Sequence, residues 1–221
     1  MEKKFKLAPS ILSADFSDLQ SALNICKKGG ADWVHIDVMD NQFVPNLTVG
    51  PLVVKALRKK TEKFLDVHMM VIQPEKLVEP FARAGADSIT FHIEAAEDPA
   101  SIIDLIKSCG CKAGLSIKPQ TPLSRIYPFL SEIDIILLMT VEPGFGGQGY
   151  IEGSNDRIRQ VRNYLNENCL TNVLIEVDGG VKLHNASEVI NSGANILVAG
   201  SEVFKSEDPV QTIREFYKLA D

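Results

Sequence analysis

The chain has 221 residues, 45% hydrophobic and 24% charged, a balance that excludes the disordered, collagen-like and disulfide-stapled classes. With 23 Lys and Arg against 29 Asp and Glu the formal charge is −6, which argues against a broad footprint on nucleic acid or an anionic membrane. The longest clean apolar stretch, around Ile135 to Met139, falls far short of the roughly 18 to 20 residues that a membrane span needs.

From the N-terminus, Met1-Glu2-Lys3-Lys4 leads into Phe5-Lys6-Leu7 with no apolar leader and no cleavage site, so the expected location is the cytoplasm. Short apolar runs then predict strands at 6–11, 33–39, 64–70, 88–92, 112–117, 133–139, 173–177 and 196–199. Between them apolar residues recur at helical spacing, as in Phe16, Leu19, Leu23 and Cys26, or Leu77, Val78, Phe81 and Ala84. Pro74, Pro99 after Asp98, and Pro209 after Asp208 mark first helical positions. Gly30-Ala31-Asp32, Gly85-Ala86-Asp87 and Gly193-Ala194-Asn195 each close a helix and open a strand, with glycine as the left-handed cap. Their recurrence suggests a repeat of two βα units. Cys26, Cys109, Cys111 and Cys169 read as thiols, and Cys109-Gly110-Cys111 has the wrong spacing for a zinc or redox motif.

Eight strands, each followed by a helix and with no linker between them, predict an α/β fold of the (β/α)8 TIM-barrel type, one domain over 1–221. The competing open doubly wound sheet would carry Gly-x-Gly-x-x-Gly after its first strand, and that signature is missing. In a barrel the chemistry sits at the C-terminal strand ends. Alternation along 33–39 puts His35, Asp37 and Met39 on one face and Val34, Ile36 and Val38 on the other. The apolar set suits the helix layer, so the polar set points inward. Along 64–70 the same reasoning groups Asp66, His68 and Met70, and the seventh strand ends in Glu176-Val177-Asp178-Gly179-Gly180.

His35, Asp37, His68 and Asp178 can therefore converge as two nitrogens and two oxygens, a donor set for zinc or another divalent first-row ion. Taken singly, each has a bland reading: an inward histidine is usually a satisfied core residue, and a strand-end Asp often caps a helix. Together, two buried carboxylates and two imidazoles without a cation would cost several kcal/mol per unpaired charge. Met39, Met70 and Met139 at strand ends are either gap fillers or a polarizable wall beside the site. His92 reads as a neighbour of the site or as core, and His184 as structural or solvent-facing. The turns 143–148, 178–180 and 199–201, which contain Gly144, Phe145, Gly146, Gly147, Gly179, Gly180, Gly200 and Ser201, suit a phosphate cradle made of backbone N–H groups.

These residues amount to a resemblance. Ala8-Pro9-Ser10-Ile11-Leu12-Ser13-Ala14-Asp15-Phe16, His35-Ile36-Asp37-Val38-Met39-Asp40, Phe43-Val44-Pro45-Asn46, Asp66-Val67-His68-Met69-Met70, Met139-Thr140-Val141-Glu142-Pro143-Gly144-Phe145-Gly146-Gly147-Gln148 and Val177-Asp178-Gly179-Gly180 resemble the ribulose-phosphate 3-epimerase family. The resemblance implies a ribulose-phosphate-binding barrel that interconverts D-ribulose 5-phosphate and D-xylulose 5-phosphate. It implies one divalent ion per subunit, zinc first and iron, cobalt or manganese as alternatives, on His35, Asp37, His68 and Asp178.

By the same resemblance Asp37 and Asp178 are the paired acid and base, acting through a cis-enediolate. Ser10, His68, Asp178 and the glycine turns contact substrate, and the chain forms a homo-oligomer, dimer or hexamer. Asn41-Gln42 and the 149–154 stretch depart from the family pattern. Two other readings stay in view: an epimerase for a longer ketose phosphate such as D-allulose 6-phosphate, and a non-catalytic phosphosugar binder. A divalent-metal aldolase is a third reading, against which no strand motif holds a lysine for a Schiff base, Lys118 falling at the mouth of the fifth strand.

Overall fold

The computed structural model describes residues 4–219. Its strands are β1 (Lys6–Ala8), β2 (Trp33–Met39), β3 (Phe64–Met70), β4 (Ser88–His92), β5 (Lys112–Ile117), β6 (Ile135–Met139), β7 (Leu174–Asp178) and β8 (Ile196–Val198). They run parallel in the order β1-β8-β7-β6-β5-β4-β3-β2. Two bonds bring β1 back to β2: the Asp32 N–H donates to Leu7 O at 3.1 Å and the His35 N–H to Pro9 O at 3.1 Å. The expected (β/α)8 barrel is the architecture found. Among the described residues, no helix is long and apolar enough to cross a membrane.

The helices are α1 (Leu19–Gly29), α2 (Pro51–Arg58), α3 (Val78–Ala84), α4 (Pro99–Ser108), α5 (Ser154–Glu167), α6 (Leu183–Asn191), α7 (Ser201–Phe204) and α8 (Pro209–Lys218). Asp98 and Asp208 cap α4 and α8, accepting from the N–H groups of Ser101 and Gln211, with proline next in line. The regular alternation fails once. After β5 two short 3-10 turns, Leu123–Arg125 and Tyr127–Phe129, stand where an α-helix was expected. Pro119, Pro122 and Pro128 lie in that stretch, and a proline inside a helix loses a backbone bond and clashes with the preceding turn. Pro74 likewise opens a 3-10 turn, Pro74–Lys76, ahead of α3.

The two-unit repeat has a physical basis. Gly30, Gly85 and Gly193 all take positive φ, and the acid or amide two residues on pins the start of the neighbouring odd-numbered strand. Asp32 accepts from Leu7 N–H at 3.0 Å, Asp87 from Leu65 N–H at 2.7 Å and Asn195 from Ile175 N–H at 2.9 Å. Asp134 does the same for Ala113 N–H at 2.9 Å without a Gly-Ala before it. One device thus sets the register of β1, β3, β5 and β7.

Most of the apolar core lies between barrel and helices, where Val34, Ile36, Val38, Leu65, Val67 and Met69 pack outward against residues such as Leu23, Val54 and Phe81. The barrel interior is filled differently at its two ends. Trp33 and Phe64 stack with centroids 4.1 Å apart near Ala8, Ile135, Ile196 and Val198 and plug the N-terminal end. Polar side chains occupy the other end.

Candidate active site

Register decides which polar side chains meet. In β2 and β3 His35 pairs with Asp66, Asp37 with His68 and Met39 with Met70. Across the barrel Glu176 pairs with Leu137, and Asp178 with Met139. Because side chains alternate, these residues form layers inside the barrel, as the sequence pattern predicts. His35, Asp37, His68 and Asp178 each bring one donor atom within 4.8 Å of the others.

The individual separations test whether a metal ion fits this cluster. His35 Nε2 lies 3.4 Å from Asp37 Oδ1 and 3.8 Å from Asp178 Oδ2, while His68 Nδ1 lies 3.3 Å and 3.6 Å from the same two atoms. A tetrahedron with metal–ligand bonds of about 2.1 Å has edges of about 3.4 Å. His35 Nε2 is fully buried and makes no hydrogen bond, although buried polar atoms are rarely left so. Spacing, donor types and the orphaned nitrogen all suit a small divalent cation.

The electrostatics lead to the same conclusion. Burial alone would strip the proton from His35, but Asp37, Asp66 and Glu176 outweigh it and raise its pKa well above the ordinary value. Burial also opposes a charged His68, yet Asp178 and Asp37 push it up to about 9. Asp37 is held far below the usual carboxylate range, because His35 and His68 overcome its own desolvation. The two carboxylates therefore hold positive charge between them, which protons on the imidazoles or a metal ion can supply.

Beneath this layer His35 Nδ1 donates to Asp66 Oδ2 at 2.6 Å, and the Ser88 hydroxyl donates to Asp66 Oδ1 at 2.5 Å. Donation from Nδ1 leaves the lone pair of neutral His35 on Nε2, aimed at the cluster. Glu176, buried beside Asp66, is pushed up to about 8 by desolvation and by Asp66, a shift toward its neutral form. Alternation along β3 puts Asp66 on the inward face, and no local pattern gives Glu176 a role. Their partnership with His35 depends on register across β2, β3 and β7, which has no local signal.

Asp37 and Asp178 lie on the floor of a cleft of ≈ 520 Å³, whereas His35 and His68, fully buried, do not line it. Ser10, Asp37 and Asp178 line it with Met39, Met70 and Met139, while Gly144, Phe145, Gly146, Gly147, Gly179, Gly180, Gly200 and Ser201 form much of its rim. The Ser10 hydroxyl donates to Asp37 Oδ2 at 2.5 Å, leaving Asp37 Oδ1 to face the histidines. The three methionines are almost fully buried, whereas Phe145 is 55% exposed. Ser13, part of the first motif but without an expected role, also lines the cleft; its Oγ would lie 2.9 Å from a Cβ at Gly200. Among the described residues lining the cleft, none is Lys or Arg.

Gly179 shows why the rim needs glycine. Its φ is +117°, and a Cβ would lie 2.5 Å from Val141 Cγ2 and 2.9 Å from Val141 N. Gly179→Ala should cost about 1–3 kcal/mol, read as a lower denaturant midpoint at unchanged slope. Both departures from the family pattern have a local explanation. Asn41 has φ +58°, and asparagine tolerates the left-handed region better than most residues. The 149–154 stretch packs on the other turn glycine, since a Cβ at Gly180 would lie 2.5 Å from Tyr150 N.

His92, at the end of β4, contacts the site through His68, Nε2 to Nε2, at 2.9 Å. Its Nδ1 lies 3.2 Å from Glu94 Oε2, and burial pushes its pKa down to about 4. Desolvation acts to raise Glu94, but bonds from His92, Thr121 and the Lys118 N–H overcome it and hold the carboxyl at about 2, against an ordinary 4.5. The stability from Glu94 is therefore full above pH 4.5 and is lost as pH falls toward 2. Acid unfolding of Glu94→Gln should accordingly show a shallower pH dependence across that window. Lys118 sits over the Phe43 ring at 4.0 Å, and His184 is exposed, as expected.

An acid pair set between two buried imidazoles serves no packing purpose, and at the C-terminal end of a (β/α)8 barrel it marks an enzyme. Comparison with known proteins narrows that class. The model of the ribulose-phosphate 3 epimerase family matches residues 6–204. Ribulose-phosphate 3-epimerase of Bacillus subtilis (strain 168) is 48% identical over 210 residues, covering 95% of this chain and 97% of its own. The protein of that name from Serratia marcescens is 50% identical over 208 residues, covering 93% and 98%. Among solved structures, KGPDC from Streptococcus mutans superposes with TM-score 0.74 at 14% identity, over 98% of this chain and 97% of that one. 3-Hexulose-6-phosphate synthase superposes with TM-score 0.70 at 20% identity over 100% of both. At such identities the structural likeness extends to the fold alone. The chain belongs to the ribulose-phosphate 3-epimerase family and is an isomerase.

Proposed function

We propose that the chain, acting as one catalytic barrel over 1–221, interconverts D-ribulose 5-phosphate and D-xylulose 5-phosphate by moving the proton at C3. The observation that carries this reading is the pair Asp37 and Asp178 on the floor of the cleft, with His35 and His68 beneath them and the donor atoms within 4.8 Å of one another. His35, Asp37, His68 and Asp178 would hold one divalent ion: zinc first, with iron, cobalt or manganese also suited to the donors. A bound ion of this kind supplies Lewis-acid stabilisation to the negative oxygen that develops as the C3 proton leaves.

The remaining chemistry belongs to side chains. Loss of the C3 proton next to a ketone gives a planar cis-enediolate, and epimerisation returns a proton to its opposite face. That calls for two proton carriers, one accepting while the other donates, roles that Asp37 and Asp178 exchange with the direction of reaction. Ser10 steadies Asp37 through Oδ2 and in this reading also touches the sugar. Met39, Met70 and Met139 give the plane a polarizable wall with no titratable group, and they exclude water. Backbone N–H groups of the turns at Gly144 to Gly147, Gly179, Gly180, Gly200 and Ser201 would take the phosphate, which fits a rim without Lys or Arg.

The zinc-loaded protein incubated with D-ribulose 5-phosphate in deuterated buffer should incorporate deuterium at C3. Absence of exchange would leave a phosphosugar binder. A higher kcat/KM for D-allulose 6-phosphate would instead assign the longer ketose. Self-association as a dimer or hexamer belongs to the same reading, supported by family membership and by Leu47 and Leu52, 72% and 83% exposed; sedimentation measures it. A cytoplasmic location goes with it too, and the four free cysteines suit a reducing compartment.

A further inference from the structure

We infer that Glu94 and His92 are positioning residues that fix the tautomer of His68 and so present its Nδ1 lone pair to the ion that Asp37 and Asp178 would share. The inference rests on the metal reading of that cluster and extends it one step outward, along His68, His92 and Glu94.

Protons along this chain of contacts can be counted one by one. Glu94 Oε1 accepts from the Lys118 N–H at 2.9 Å and from the Thr121 hydroxyl at 2.5 Å. Those two donors fix the carboxylate, and its other oxygen, Oε2, faces His92 Nδ1 at 3.2 Å. A carboxylate offers only acceptors, so a proton on His92 Nδ1 makes this contact favourable and a lone pair there makes it repulsive. His92 is 0% exposed, and burial favours the neutral ring with a single N–H. With that proton on Nδ1, His92 Nε2 is an acceptor.

His68 Nε2 lies 2.9 Å from it, and two facing lone pairs would repel, so His68 Nε2 carries the N–H. Once an ion displaces the proton that the carboxylates otherwise hold there, the lone pair of His68 is on Nδ1, which lies 3.3 Å from Asp37 Oδ1 and 3.6 Å from Asp178 Oδ2. The reverse arrangement sets His92 Nδ1 against Glu94 as acceptor on acceptor and puts a proton on His68 Nδ1, where it would occupy the ligand position. The first arrangement satisfies every contact outside the cluster and leaves His68 Nδ1, beside the two carboxylates, as the donor to the ion they would share. His35, held by Asp66, presents Nε2 instead, so the two imidazoles enter the cluster through opposite nitrogens, each fixed by its own carboxylate.

Glu94→Gln tests this with almost no change of shape. The Lys118 N–H and the Thr121 hydroxyl retain the amide oxygen, which turns the amide NH2 toward His92 Nδ1. The chain of donors then reverses and His68 receives its proton on Nδ1. In protein labelled with 15N-histidine and loaded with zinc, the wild type should show protonated Nδ1 on His92 and protonated Nε2 on His68. Glu94→Gln should exchange the His92 pattern and weaken zinc binding by about 10–100-fold in a chelator competition. Thr121→Val loosens the same carboxylate without reversing it and should keep the wild-type spectrum, which separates polarity from packing. A wild-type spectrum with the His92 proton on Nε2 would overturn the inference even if Glu94→Gln failed to fold. So would a Glu94→Gln protein with wild-type zinc affinity. Failure of the wild type itself to bind zinc would overturn the metal reading and this inference with it, and the competition experiment distinguishes the two failures.

Discussion

Asp178→Asn and Asp37→Asn should each lower kcat by about 10²–10⁴-fold, the range expected for loss of a general acid or base, while the fold survives. The substitution keeps the volume of the side chain and removes its ability to take a proton. It also removes one negative charge from a cluster in which His35 and His68 are both held toward protonation by their carboxylate neighbours, so metal content should be measured beside turnover. The two variants should differ in a way that a purely structural defect would not produce. Each retains the carrier for one face of the enediolate, so one variant should exchange C3 hydrogen of ribulose 5-phosphate with solvent without converting it, and the other should do so for xylulose 5-phosphate. Wild-type turnover in either would refute the assigned roles.

Removal of divalent metal with a chelator should abolish turnover, and one equivalent of zinc, iron(II), cobalt or manganese per chain should restore it. The pH dependence of this step has a definite sign. His68 is pushed up to about 9 by Asp178 and Asp37 against its own burial, so below that pH an incoming cation displaces a proton from its ligand. Metal affinity should therefore rise as pH increases toward 9 and fall in acid. Calorimetric titration of the metal-stripped protein at several pH values, in buffers of different ionisation enthalpy, measures both the affinity and the protons released. An affinity independent of pH would mean that the ion binds elsewhere.

Much of this site is legible in the sequence because a β-strand displays its faces at every second residue. His35-Ile36-Asp37-Val38-Met39 separates into an inward polar set and an outward apolar set without reference to any other segment. The missing helix after β5 was also legible in principle, since Pro119, Pro122 and Pro128 are local signals, but the regular alternation on either side outweighed them. The supporting residues were not legible. Asp66 meets His35 because the register of β2 on β3 pairs them, and Glu176 joins them from across the barrel. The bond from Ser10 to Asp37 arises because β1 ends at Ala8 and the chain turns at once into Ile11–Ser13. Asp134 pins β5 as its three counterparts pin β1, β3 and β7, yet it lacks the Gly-Ala signature that revealed the others. Periodicity reports which face a residue occupies, while register and closure decide what it meets there.

His35 Nε2, Asp37, His68 Nδ1 and Asp178 should together enclose one divalent ion. The most direct measurement is an anomalous difference map at the zinc edge from a crystal of the zinc-loaded protein. A single strong peak is expected on the floor of the cleft, about 2.0–2.2 Å from each of the four donor atoms. A peak bound elsewhere, or full occupancy of zinc at a site that omits either carboxylate, would contradict it.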